Sequence, residues 1–247
     1  MLFRSGQLWG NPLYRWEAHQ ASDFAWWVER LRACLQMVDL ARLDHFRGFA
    51  AAWEIRNGST TAQSGEWVDG PGSGLFSRLR ESLGSLALIA EDLGVITPDV
   101  EKLREEFELP GMKVLQFAFS GPDNLFLPHA YPRHCVVYTG THDNDTTRGW
   151  YEAASESERD FCRRYVRSDG TDIVWDLIRL AWSSSAAIAL APMQDLLDLG
   201  TEARMNLPGK PSGSWIWRMP EKAATAELAA RLRELNYLYE RNVRETA

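Results

Sequence analysis

Five short apolar runs, partly β-branched, recur along this chain with helical segments between them: VDLARLD, LALIAED, MKVLQFAF, CVVYTG and AAIALAPM. Runs of this length bounded by turn residues read as buried strands. Their alternation with helix signals specifies a parallel sheet, because parallel neighbours need a crossover connection between them. In a parallel αβ barrel the carboxyl ends of all strands face one mouth, so residues remote in sequence can meet there. Acids follow three of the runs at that end: Asp44 in ARLDHFRGF, Glu91 in LALIAEDLGVI and Asp143 in VVYTGTHDNDT.

The connections carry their own signals. Ser22 and Asp23 read as caps of a helix through about Met37, with Phe24, Trp27, Val28, Leu31 and Leu35 at helical spacing. A polar, glycine-rich excursion from Gly58 to Gly74 surrounds Trp67 and leads into a helix from Leu75 to Leu83; this 58–83 insertion is expected to flank the cleft. Thr97 and Pro98 open an acidic helix to about Phe107. Ser155 with Glu158 forms a capping-box signature for a helix to about Val166, and Thr171 can cap the next, through Trp182. A long loop over 200–220 and an amphipathic helix over 221–247 close the chain, whereas GQLWGNPLYRW near its start has the composition of a loop. Trp26, Trp27, Trp175 and Trp182 fall on helix-core positions. Trp9, Trp53, Trp67, Trp150, Trp215 and Trp217 lie on or near loops.

Composition narrows the function class. With 45% hydrophobic and 25% charged residues the chain can bury a sizeable core. A net charge of -7 without a local Lys/Arg cluster argues against nucleic-acid partners. Cys34, Cys135 and Cys162 are odd in number and sit in apolar or helical segments, which predicts reduced core thiols and a cytoplasmic setting. No apolar stretch is long enough to span a bilayer, so no membrane role is expected. A minimal eight-stranded barrel takes about 250 residues, yet only five barrel strands are evident here. The expected fold is α/β, a partial (β/α)8 TIM barrel that begins in mid-barrel, whose open strand edges another chain would cover.

Carboxylates gathered at a barrel mouth suit glycoside chemistry. A competing reading is a divalent-metal cluster of His142, Asp143 and Asp145 beside Glu91 and Asp92, since hard cations take carboxylate oxygens. Strand alternation turns Asp92 away from Glu91 but leaves Asp145 able to share the face of Asp143. Taken alone, Asp44 would be a strand-end turn residue.

The segments GQLWGNPLYRW, RLDHFRGF, AEDLGVITPDV, GMKVLQFAF, VVYTGTHDNDTTRGWY and EARMNLPGKPSGSWIWR resemble the 4-α-glucanotransferase (amylomaltase, disproportionating enzyme) family, glycoside hydrolase family 77 of the α-amylase superfamily. The likeness runs from about Gly6 to the final helix and corresponds to the C-terminal half of the family's chain, about barrel strands 4 to 8. It implies a retaining transferase that moves α-1,4-glucan segments between maltooligosaccharides without metal or organic cofactor. By the same resemblance Asp44 is the nucleophile with Arg42 beside it, and Glu91 is the general acid/base. Asp143 is the transition-state stabiliser and holds sugar hydroxyls with His142. Trp9 and Asn11 match the acceptor side, and Phe117 and Asn206 match cleft-lining positions. Arg56 and Asn57 stand where the family has Pro and Ala, and the family's first three strands, with the histidine and aspartate of the third, have no counterpart. Two origins of the missing half stay open: a partner chain that supplies it, or its loss from an incomplete sequence. The alternatives are a non-catalytic glucan-binding or assembly remnant and an α-glucan hydrolase of the same superfamily; GQLWGNPLY and RMNLPGKPSG favour the transferase.

Overall fold

The computed structural model describes residues 7–210 and 212–242. The chain divides into two compact units, Met1–Met112 and Lys113–Ala247. All five runs form strands, which with one additional hairpin gives seven among the described residues.

In the first unit β1 (Ala41–Leu43) is followed by the hairpin β2 (Ala51–Glu54) and β3 (Glu66–Asp69), then by β4 (Leu88–Ala90). β1 and β4 pair in parallel with Leu43 opposite Ala90. Their core is aromatic and aliphatic. The helix Ala25–Leu35 contributes Trp27, Val28 and Leu31, and the helix Gly72–Leu83 contributes Leu75, Phe76 and Leu79 against Phe46, Phe49 and Leu88. The helix Pro98–Glu106 begins with Thr97 at its N-cap and proline in its first turn, as the Thr-Pro pair predicts.

Four expectations for this unit are corrected. Ser22 and Asp23 do not cap the helix after them, which starts behind Phe24 in a left-handed conformation. The Ser22 hydroxyl instead donates to the carbonyls of Ala18 and His19, closing an additional helix, Trp16–Ala21, and Asp23 pairs with Arg78. Ser and Asp serve either helix end when two helices abut. The excursion over 58–74 comprises part of the hairpin's turn, its strand β3 and the start of the following helix; Trp53 and Trp67 face each other across the hairpin strands at 5.5 Å and Arg47 lies over Trp67. The following helix starts at Gly72, three residues earlier than the apolar pattern suggests. Trp26 is 49% exposed, whereas its neighbour Trp27 is buried.

In the second unit the sheet has the order β5 (Gly111–Val114), β6 (Cys135–Tyr138), β7 (Ile188–Leu190), with β6 and β7 parallel. MKVLQFAF is strand only to Val114 and then turns into a 3-10 helix over Leu115–Phe117. Ser155 and Glu158 form the predicted capping box on the helix Glu156–Val166. The next helix, Ile173–Ser183, starts after Asp172 and not after Thr171, whose N–H is taken by the Asp169 carboxylate. β7 is only partly buried, with Leu190 42% exposed, because it ends the strand order and lacks a second sheet neighbour among the described residues. Trp150 lies in the short helix Thr147–Ala153 and packs on Phe119. The closing helix is shorter than expected, Ala226–Leu238, with Leu235 as its buried anchor and Thr225 as its cap; the end of the expected span lies outside the described residues. Cys34, Cys135 and Cys162 are free thiols, the latter two buried. No helix among the described residues is long and apolar enough to cross a membrane.

Candidate active site

The parallel register of β1 and β4 sets the first pair of acids. With Leu43 opposite Ala90, the next residues of the two strands, Asp44 and Glu91, leave the sheet at the same end, and the Glu91 N–H donates to the Leu43 carbonyl. Arg42 and Asp44 lie two residues apart, so alternation puts them on one face, and they form an ion pair of 2.6 Å. The Arg42 Nε also donates to the Met112 sulfur. The Asp44 side chain is 71% exposed, so its carboxylate is open to attack a ligand.

Glu91 sits in a different environment. Its Oε2 accepts the His45 N–H at 2.7 Å and its Oε1 accepts the Leu93 N–H at 3.1 Å. Burial is the largest influence on its carboxyl and raises it from 4.5 to about 7; the charge of Asp44 adds to the rise, while the two backbone donors and Arg42 oppose it. A carboxyl poised near neutrality can give and retake a proton within one cycle.

His45 positions the Glu91 carboxyl through its backbone. Its φ of 48° is left-handed, a strained conformation outside glycine, and it aims the N–H at Glu91. The imidazole rests over Gly48, where an added Cβ would lie 2.8 Å from Nδ1, and the Trp9 ring meets its edge at 5.4 Å. Burial lowers the His45 ring's proton affinity, with Asp44 opposing and Arg47 assisting. Asp92 faces elsewhere, as alternation predicts, accepting the Met112 N–H at 2.7 Å; Gly111 is required there, since a Cβ would fall 2.2 Å from Asp92 Oδ2.

The second unit builds a separate cluster around Asp143. Thr141 and Asn144 form a tight turn, with Asn144 Oδ1 accepting both the N–H and the hydroxyl of Thr141. The Asp143 side chain, 48% exposed, takes the Asn206 amide on Oδ1 at 2.5 Å, with His142 Nε2 at 3.5 Å from the same atom. The His142 ring lies 5.3 Å from that of Trp215, whose φ is 64°. Asp145 is engaged by different partners. It accepts the Thr201 hydroxyl and the Thr146 N–H, and Gly149 leaves room for this packing. Beneath lies Asp195, 1% exposed, accepting the hydroxyls of Thr139 and Thr147 and the Thr147 N–H. Among the described residues no group of three or more His, Cys, Asp or Glu is placed to hold a metal ion.

The weaker candidates differ. Trp9 and Asn11 are exposed in the first unit. Asn206 belongs to the Asp143 cluster. The Phe117 carbonyl accepts from Asn124, and its ring packs edge-on against Phe126. Sequence reasoning missed His45, Arg204 and the backbone of Leu93; only the neighbouring motifs pointed to them, since a positive φ or a carbonyl contact leaves no composition signal.

Comparison with known proteins shows what the chain is similar to. A 4-α-glucanotransferase from Thermus thermophilus is 51% identical over 96% of this chain and 49% of its own, and the chloroplastic/amyloplastic 4-α-glucanotransferase DPE1 of Arabidopsis thaliana is 46% identical over 96% and 42%. The chain thus spans about half the length of the curated relatives it matches. The structure of an amylomaltase from Streptococcus agalactiae in complex with acarbose superposes with a TM-score of 0.92 at 38% identity, over 96% of this chain and 48% of that one. That of the Corynebacterium glutamicum amylomaltase gives 0.77 at 18% identity, over 94% and 40%, a likeness of fold alone. The fold is accordingly a partial (β/α)8 barrel of the amylase superfamily. The model of the 4-α-glucanotransferase family matches residues 1–224, and the chain belongs to that family, glycoside hydrolase family 77.

Proposed function

We propose that this chain is the C-terminal portion of the catalytic barrel of a retaining 4-α-glucanotransferase acting on maltooligosaccharides. One observation carries the reading: exposed Asp44 paired with Arg42, and Glu91 held by two backbone donors with its carboxyl raised to about 7. In the first step an Asp44 carboxylate oxygen attacks the anomeric carbon while Glu91 gives its proton to the glycosidic oxygen. The departing glucan leaves with a free 4-hydroxyl, and the remaining segment is esterified to Asp44. In the second step the 4-hydroxyl of an acceptor attacks that carbon, Glu91 takes its proton and Asp44 is released, so two inversions give net retention.

Trp9, braced on the His45 ring, would cover the acceptor and exclude water, with Asn11 beside it in sequence. Asp143 has one oxygen engaged by Asn206, and its other oxygen accepts no hydrogen bond from the described residues, which suits it to take a sugar hydroxyl together with His142. Phe117 is proposed to line the cleft. Because the relatives are about twice as long, the proposed partner is a polypeptide carrying their remaining half. The free thiols favour a cytoplasmic setting.

The test incubates the chain with maltotriose, alone and together with the N-terminal half of the Thermus thermophilus relative, beside an Asp44→Asn variant. Glucose plus a ladder of longer maltooligosaccharides, lost in the variant, supports the reading. Glucose and maltose without longer products would indicate a hydrolase. No product in either arm from folded protein would sink the catalytic assignment and leave a binding remnant.

A further inference from the structure

We infer that Arg204 is a positioning residue for Asp143, fixing the loop that carries Asn206 and Trp215 so that the carboxylate presents one free oxygen. The inference rests on the proposed role of Asp143 and adds a residue to which no role has been assigned. Arg204 follows the 3-10 turn Thr201–Ala203 and leaves it extended, with φ −54° and ψ 135°. Its guanidinium is a fork between two carbonyls: Nη2 donates to the Asp143 carbonyl at 2.7 Å and Nε to its own loop's Asn206 carbonyl at 2.8 Å. The third nitrogen, Nη1, lies 4.0 Å from Asp145 Oδ2, and the side chain is only 24% exposed, so its charge is screened little by water.

Both carbonyls belong to residues whose side chains meet, since the Asn206 amide donates to Asp143 Oδ1. Arg204 therefore holds the backbone of the donor and of the acceptor at once. The same anchoring extends to the far end of the loop, where the Trp215 N–H donates to the Met205 carbonyl at 2.7 Å and the Trp215 ring lies against His142. A lysine has one ammonium and cannot serve two diverging carbonyls with fixed geometry. Without the fork, Asn206 loses its aim at Oδ1, and Asp143 and His142 no longer sit in register for a developing charge. An error of about 1 Å in such a group can cost on the order of 100-fold in rate.

Arg204→Ala and Arg204→Lys are compared with wild type by maltotriose transfer kinetics, in the arm where wild type turns over, with and without millimolar guanidinium. In parallel, proton NMR follows the His142 ring resonances, which the Trp215 ring current displaces whether or not turnover occurs. The expected result is a kcat lowered on the order of 100-fold with KM little changed, no recovery in Arg204→Lys, and recovery of kcat and of the His142 shift when guanidinium is added to Arg204→Ala. Unchanged kcat, full activity in the lysine variant, or a loss that guanidinium leaves in place would overturn the inference. If wild type itself is inactive the proposed function fails separately, and the clamp is judged on the His142 shift: movement in Arg204→Ala reversed by guanidinium supports it, and an unmoved or unrestored resonance overturns it.

Discussion

Glu91 is the group whose removal should report most directly on the site. In the folded chain its carboxyl is raised from 4.5 to about 7, chiefly by burial. The unfolded chain ionises it near its ordinary value, so between those two pH values unfolding releases a proton and rising pH destabilises the wild type. Below the window both states are protonated, and above it the penalty is complete. A displacement of this size corresponds to about 3 kcal/mol, and partial solvent access brings the expectation to about 2–3 kcal/mol. Glutamine carries no titrating proton, so the stability of Glu91→Gln minus that of wild type should rise by that amount between about pH 4 and about pH 8. Urea unfolding followed by tryptophan fluorescence at stepped pH measures the difference directly, and changes at other titrating groups cancel. A difference that stays flat through the window, or that steps only near the ordinary glutamate value, would refute the claim that burial holds this proton, and with it the acid/base assignment.

The neighbours of Glu91 provide signed controls. Asp44→Asn should lower the midpoint of that step and Arg42→Met should raise it, because Asp44 favours and Arg42 opposes the protonated form. Gly149→Ala would place a Cβ 2.3 Å from the Thr201 hydroxyl and 2.8 Å from Asp145, and should destabilise the fold by about 1–3 kcal/mol in thermal or urea unfolding. Ser155→Ala removes the capping box of the helix Glu156–Val166 and should cost about 1 kcal/mol by the same measurement. In native protein a thiol reagent should label Cys34 before Cys135 or Cys162, since the latter two are buried and burial pushes the Cys162 thiol up to about 12; mass spectrometry of partially labelled protein reads the order.

The strands were legible because each run is short, apolar, partly β-branched and bounded by turn residues, and each of the five runs contains a strand. The capping box at Ser155 was legible for the same reason, as both partners lie within one turn. Ser22, Asp23 and Thr171 misled because a short polar side chain bonds whichever backbone group is nearest, and which one that is depends on the neighbouring helix. The hairpin Ala51–Glu54 with Glu66–Asp69 escaped notice because its strands have no buried residue and carry no clean apolar alternation. The partial exposure of Ile188–Leu190 reflects the lack of a second sheet neighbour among the described residues and not the residues themselves, which are as apolar as a buried strand requires.

By itself, the sequence determined the parallel α/β class, from the alternation of apolar runs with helix signals, the strand ends at which acids stand, and the shared face of Arg42 and Asp44, from the period of a strand. The tertiary structure alone decided what those acids can do. Glu91 is raised because chains distant in sequence bury it, and it is aimed because His45 adopts a left-handed backbone; Asp143 is held because Arg204 and Asn206, some sixty residues away, return to it. Proton affinity and aim depend on solvent exclusion and on long-range contacts, and neither is a property of a local run of residues.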